Sequence, residues 1–305
     1  MTAIADLPDE ARASAPAREE RRAPVAGGAL NVVILNPPGG GEGLATLLLL
    51  HGASGNLRDL EMSIGGPLAA RRRVVLVDRP GHGGSDRLGG REMAGLAAQS
   101  EAVMAALDAV GVGRVVAVGH SWSGGLAARL ALDHGDRVSG LVTLAGATHP
   151  WPGGVALYTR LAAAPLVGPL FSTLIAPPVG ALLFRAAVAS TFAPKPMPAD
   201  YLALARSRTI LRPKEFRANA QDLADLKASL AEQVGRYGAI RAPTLAMTAD
   251  EDHIVEPDLH SAAFVRAVPG ARLAVLKGAG HMPHWTETAR VVAGIEALAG
   301  EVERA

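Results

Sequence analysis

Short apolar runs alternate along this chain with longer stretches of helical character, and that alternation most narrows what it can fold into. ALNVVIL (29–35), ATLLLL (45–50), RVVLVD (73–78), RVVAVGH (114–120), RVSGLVTLAG (137–146), PTLAMTA (243–249) and ARLAVLK (271–277) have the length and β-branched content of buried strands. An Ala-rich stretch over 92–110, closed by Gly111, is predicted to be a helix. Further helices are predicted from Trp122 onward, near 257–267 and over about 284–299. Strands that alternate with helices predict an α/β fold, with a mostly parallel, doubly wound sheet.

Two regions depart from this rhythm. Residues 1–28 mix Asp6, Asp9, Glu10, Arg12, Arg18, Glu19, Glu20, Arg21 and Arg22 with Ala and Pro. No apolar core follows a basic start, so this is not a secretory signal, and the composition predicts a disordered leader. From His149 to Ile240 no clean strand appears, and prolines such as Pro150, Pro152, Pro165, Pro169, Pro177, Pro178, Pro194, Pro196 and Pro198 interrupt the sequence. Residues 149–240 are therefore predicted to be a helical cap inserted between two sheet strands, with 29–148 and 241–305 forming the core.

Leu161 to Phe184 carries no charge and is long enough to cross a bilayer. Four prolines break it as a single helix. A span here would also place Ser121 and the C-terminal strands on opposite sides of the membrane. We expect an apolar cap over a pocket, with peripheral contact to a membrane surface as the alternative, in a cytoplasmic protein. The formal charge of +1, from 30 basic and 29 acidic residues, gives no electrostatic reason to expect nucleic acid. Aromatic residues are only 4% of the chain against 49% hydrophobic, so the core must be built from Ala, Val and Leu. Without cysteine, disulfides, thiolate metal sites and a cysteine nucleophile are excluded.

Gly119-His120-Ser121-Trp122-Ser123-Gly124-Gly125 joins a strand directly to a helix. So tight a turn holds its central serine out of the sheet in a strained conformation, at a helix N-terminus that favours negative charge. The usual pattern is G-x-S-x-G, and Ser123 replaces its last glycine. A serine hydroxyl needs a base, and the base needs an orienting carboxylate. His281, in the loop KGAGHMPHW, is the candidate base; His284 is the competitor, otherwise read as a surface or pocket-rim histidine. Asp252 is the candidate acid, with Ile254 and Val255 anchoring the turn behind it, while Asp250, Glu251 and Asp78 remain alternatives. The backbone N–H groups of Ala53, in His51-Gly52-Ala53-Ser54-Gly55, and of Trp122 are the candidate oxyanion donors.

With HGASG, DRPGHGGSDR, GHSWSGG, the Asp252 loop and GAGHMPHW, residues from about 29 to 298 resemble the α/β-hydrolase superfamily. The resemblance implies that Ser121 is acylated, that His281 acts as base and then acid, and that Asp252 orients it, with no cofactor or metal. It assigns no chemistry to the Asp78–Asp86 turn. A serine at the elbow argues against the dehalogenase and epoxide hydrolase branches, which place an aspartate there. Esterases, lipases, thioesterases, carbon–carbon bond hydrolases and cofactor-free perhydrolases remain compatible, as does a non-catalytic ligand receptor on this scaffold. The apolar first half of the cap predicts a small hydrophobic ester or thioester as substrate. Arg206, Arg208, Arg212 and Lys214 in its second half are a solvated face or, alternatively, a carboxylate- or phosphate-recognition patch.

Overall fold

The computed structural model of the protein describes residues 15–304. Eight strands form one sheet: β1 Ala17–Val25, β2 Gly28–Asn36, β3 Thr46–Leu50, β4 Val74–Val77, β5 Val115–His120, β6 Val138–Leu144, β7 Thr244–Ala249 and β8 Arg272–Leu276. Their order is β1-β2-β4-β3-β5-β6-β7-β8. β2 runs antiparallel to β1 and β4, and every other neighbouring pair is parallel.

The seven labelled helices are α1 Leu96–Ala109, α2 Ser123–Asp133, α3 Leu157–Ala163, α4 Gly168–Leu174, α5 Ala176–Ser190, α6 Pro213–Gln233 and α7 Thr288–Arg304. Alternate side chains of the inner strands feed two separate cores. Leu48 and Leu50 join Val103 and Leu107 of α1 and Leu126 and Leu130 of α2 on one face. Leu47 and Leu49 join Val291, Ile295 and Leu298 of α7 on the other. β4 to β7 are buried at every position, which explains why their sequences are apolar-rich, with only small polar residues and His120 among them, rather than half polar.

The leader expectation is corrected over 17–28: Ala17–Val25 is a strand, paired with β2 from Ala17↔Asn36 to Val25↔Gly28. Its charges suit an outer strand. Arg18 Nε bonds Glu61 at 2.5 Å, and Arg22 Nη2 bonds Asp86 at 2.6 Å. Charged side chains on an edge also deter pairing with a second chain. Residues 1–14 lie outside the described residues.

The segment between β6 and β7 supplies α3 to α6, yet β6 and β7 are direct neighbours in the sheet. Because the two strands are parallel, the insertion leaves the carboxyl edge of the sheet after β6 and returns at the amino edge to enter β7. Among the described residues no single helix is long and apolar enough to cross a membrane, although α4 and α5, bent by 63°, together reach that length and composition.

The insertion is tied to the sheet by a buried ion pair. Arg79, just past β4, donates from Nη1 to Asp222 Oδ2 of α6 at 2.6 Å, both side chains being wholly buried. Gln99 and Arg87 also donate to the Asp222 carboxylate. Removing one partner of such a pair leaves an uncompensated charge in the interior. We expect Asp222→Ala to lower stability by about 3–5 kcal/mol in urea unfolding. A loss below about 1 kcal/mol would show that Arg79 finds other compensation.

Candidate active site

Five loops at the carboxyl edge of the sheet converge on Ser121. The turn after β5 holds Ser121 at φ +52°, a left-handed conformation that is uncommon for a residue with a side chain. Three backbone bonds impose it: Ser121 N–H donates to Leu144 O at 3.0 Å, while its carbonyl accepts from Gly124 N at 2.8 Å and Ala147 N at 2.9 Å. The turn is too crowded for larger residues. A Cβ on Gly119 would sit 2.0 Å from the Ser123 carbonyl oxygen, and one on Gly124 would sit 2.5 Å from Gly146 Cα. Ser123, where glycine is usual, has a local reason: its buried hydroxyl donates to the His51 carbonyl at 2.5 Å. The substitution fastens the elbow to the loop after β3.

His281 lies past β8 with Nε2 2.8 Å from Ser121 Oγ, and its Nδ1 is 2.8 Å from Asp252 Oδ2. The other Asp252 oxygen accepts the N–H groups of Ile254 at 2.9 Å and Val255 at 3.0 Å. These bonds aim one carboxylate oxygen at the imidazole. With that oxygen taking the Nδ1 proton, Nε2 is left to accept from the serine. Asp250 has a different part: its carboxylate accepts Gly278 N–H at 2.7 Å, pinning the acid loop to the histidine loop. Glu251 is exposed, with its N–H bonded to Ala279 O. Asp78 is buried beneath the sheet edge and accepts from Leu57 N, Gly84 N and Asn31 Nδ2. Burial pushes its carboxyl up, against the pull of those donors.

The loop after β3 approaches Ser121 closely, so that a Cβ on Gly52 would meet Ser121 Cβ at 2.9 Å. Ala53 and Trp122 both line the cavity above Ser121, and neither N–H has a hydrogen-bond partner among the described residues. The loop is fixed from behind. His51 Nε2 accepts Arg79 N–H at 3.0 Å, which leaves Nδ1–H to donate to the Gly52 carbonyl at 2.8 Å. Ser54 and Asn219 of α6 exchange two hydrogen bonds, at 2.6 and 3.0 Å. The Arg79 guanidinium lies 4.0 Å from the Trp122 ring, and Trp122 Nε1 donates to the Asp222 carbonyl.

A group that sequence reasoning missed sits behind His281. His120 Nε2 donates to the His281 carbonyl at 3.0 Å, and its ring lies 4.3 Å from that of His284. His284 Nε2 bonds Asp59 Oδ2 at 3.0 Å, and Trp285 Nε1 donates to Asp59 Oδ1 at 2.7 Å. His284 is therefore neither a surface nor a rim residue but fully buried. Burial alone would raise the Asp59 carboxyl, but His284, His120 and the Trp285 indole hold it down at about 2. Nothing in the chain order signals this cluster, because Asp59 and His284 are 225 residues apart. Ligand atoms of Asp59, His120 and His284 lie within 4.8 Å of one another, the spacing of a metal site. Both Asp59 oxygens are already committed to hydrogen bonds, so an ion there would have to displace them.

The cavity above Ser121 has a volume of about 790 Å³. Its walls are mostly apolar, including Phe171, Ile175, Val179, Leu183 and Phe184 from α4 and α5 and Phe216 and Leu223 from α6. Asp59 and Glu256 line it, but among the described residues no Lys or Arg does. Arg206, Arg208, Arg212 and Lys214 are all exposed outside it, with Arg208 5.6 Å from the Phe184 ring.

The family profile described as the alpha/beta hydrolase fold matches residues 45–288. The chain is 30% identical over 262 residues to a 2-hydroxy-6-oxo-6-phenylhexa-2,4-dienoate hydrolase of Burkholderia cepacia, covering 82% of this chain and 85% of that protein. Among solved structures it is similar to a thermophilic esterase from Thermogutta terrifontis, with a TM-score of 0.71, 19% identity and coverage of 94% and 99% of the two chains. It is also similar to the enol-lactonase from Burkholderia xenovorans, with a TM-score of 0.72, 19% identity and coverage of 91% and 99%. At such identities the two structural likenesses concern the fold.

Three buried histidines around the site make the protein sensitive to acid. Burial, then the neighbouring Arg79 charge, pushes His51 and His82 well below the ordinary value of 6.5. Burial, then His284 and His281, does the same to His120. The folded chain keeps all three neutral where the unfolded chain protonates them. Their contribution is therefore whole above 6.5 and is lost as pH falls below it, at up to about 1.4 kcal/mol per pH unit for each histidine. We expect the urea midpoint to drop steeply between pH 7 and 5, and an unchanged midpoint would contradict the neutral burial of these rings.

Proposed function

The chain belongs to the α/β-hydrolase fold family, and within it we propose a serine hydrolase that cleaves a carboxylic ester or thioester of a mostly apolar acyl group. The observation that carries this reading is the unbroken contact series from Ser121 Oγ through His281 to Asp252, at 2.8 Å and 2.8 Å, beneath an apolar cavity. Ser121 Oγ attacks the acyl carbonyl while His281 Nε2 takes its proton. Asp252 stabilises the imidazolium and fixes its orientation. The Ala53 and Trp122 N–H groups receive the oxyanion, each such donor contributing about 3–4 kcal/mol in the transition state. His281 then returns the proton to the leaving oxygen or sulfur. A water, activated by the same imidazole, releases the acid and restores the serine.

Identity with the dienoate hydrolase favours a second reading, cleavage of a carbon–carbon bond with the same three residues. The substrate in that protein's name is a carboxylate. Here a carboxylate would meet Asp59 and Glu256 and, among the described residues, no Lys or Arg along the cavity wall, which favours a neutral ester.

A fluorophosphonate probe should label Ser121 and fail to label Ser121→Ala; folded wild-type protein that stays unlabelled would refute the nucleophile. Asp252→Asn should retain labelling weakly and lose roughly 10⁴-fold in kcat, through the wrong imidazole tautomer. In a panel of p-nitrophenyl esters from acetate to dodecanoate set against a 2-hydroxy-6-oxodienoate, we expect the longer esters to have the higher kcat/KM. Faster turnover of the dienoate would establish the second reading instead.

A further inference from the structure

The helices over the cavity expose an apolar face of unusual extent. Leu166 is 91% and Leu182 84% exposed, and Leu157, Val167, Leu170 and Leu174 are more than half uncovered. A contiguous exposed apolar surface of this kind marks an interaction site. It is continuous with the cavity. Tyr158, Ile175, Val179 and Leu183 line the cavity and are themselves at least half exposed. Ile175, Val179, Leu182 and Leu183 recur at helical spacing, so one side of α5 serves both surfaces.

Charge identifies what covers this face. The run from Leu161 to Phe184 is uncharged and is bounded by Arg160 and Arg185, both exposed. Arg206, Arg208, Arg212 and Lys214, further along the insertion, are also exposed, and Arg208 lies 5.6 Å from the Phe184 ring at the end of the uncharged run. From Trp151 to Arg217 the only acids are Asp200 and the buried Glu215. An apolar centre with a cationic border matches an anionic lipid surface: side chains enter the acyl boundary while arginines and lysines stay at the headgroups. A second copy docked on the same face would set like charges against like.

We propose that α4 and α5 seat the protein on anionic lipid bilayers, with the mouth of the cavity opening into the lipid. The ester reading supplies what enters through that mouth, but the seating stands on the surface alone. A hydrophobic substrate then moves from the bilayer to Ser121 without crossing water.

Co-sedimentation with phosphatidylcholine vesicles, with and without phosphatidylglycerol, tests this. Wild type and Ser121→Ala should both pellet with phosphatidylglycerol vesicles, more weakly with phosphatidylcholine alone and more weakly in high salt. Arg160→Gln combined with Arg185→Gln should bind roughly tenfold more weakly. A triple variant, Leu166→Gln, Leu170→Gln and Leu182→Gln, should lose pelleting while hydrolysing soluble p-nitrophenyl butyrate at the wild-type rate. None of these three leucines lines the cavity. Wild type remaining in the supernatant, or a triple variant that still pellets, overturns the proposal. So does a wild-type dimer that the triple variant dissociates without any vesicle binding, which would make a second copy the occupant. If the butyrate is not hydrolysed while pelleting persists, the ester reading fails and the seating holds.

Discussion

The close approach of backbones around Ser121 is the constraint on which the site depends. A left-handed serine is tolerated only because its N–H and carbonyl are bound to Leu144, Gly124 and Ala147, and because glycines 119 and 124 leave room for neighbouring backbone. The turn thereby lifts one hydroxyl off the sheet at the start of α2. Gly52 reaches the same point from the neighbouring strand. A departure from the usual pattern, Ser123, strengthens this junction by bonding the carbonyl of His51. Sheet order then brings the Asp252 and His281 loops to the same edge, since β6, β7 and β8 follow β5 in sequence across the sheet.

Arg79 extends the constraint from the sheet to the helices above it. One guanidinium bonds the His51 and Gly52 carbonyls, stacks on Trp122 and pairs with Asp222 of α6. The loop carrying one candidate oxyanion donor, the residue carrying the other, and the inserted helices are therefore positioned by a single buried cation. Asn219, one turn before Asp222, repeats the connection through Ser54. The cavity walls and the loops around Ser121 are held by shared contacts, so the inserted segment is part of how the site is built as well as its roof.

Each of the seven apolar runs seen in the sequence corresponds to a strand; β3 to β7 are buried almost throughout and so announce themselves as apolar-rich runs, while the last, β8, is largely exposed but keeps its β-branched and aliphatic residues. The missed strand, Ala17–Val25, is the exception that follows from the same rule. On the sheet's outer edge its exposed face carries charges, and its composition matches that of a leader. The geometry brings Ser121, Asp252 and His281 together as their loop positions implied, and separates them from Asp250, Glu251 and His284, whose partners lie elsewhere.

What the amino-acid sequence determines by itself is therefore local: where strands end, which residues occupy the turns beyond them, and that one serine sits at a turn too tight to be incidental. Such features depend on residue type and spacing along the chain. Only the tertiary structure decides that His284 is buried against Asp59, that Arg79 and Asp222 join across 143 residues, and that the basic residues of the cap stand outside the cavity. It also decides that residues of the uncharged run around α4 and α5, Ile175, Val179 and Leu183 among them, both line the cavity and meet solvent. Those facts depend on which faces meet when the inserted helices pack, and no periodicity in the chain encodes the partner across such distances.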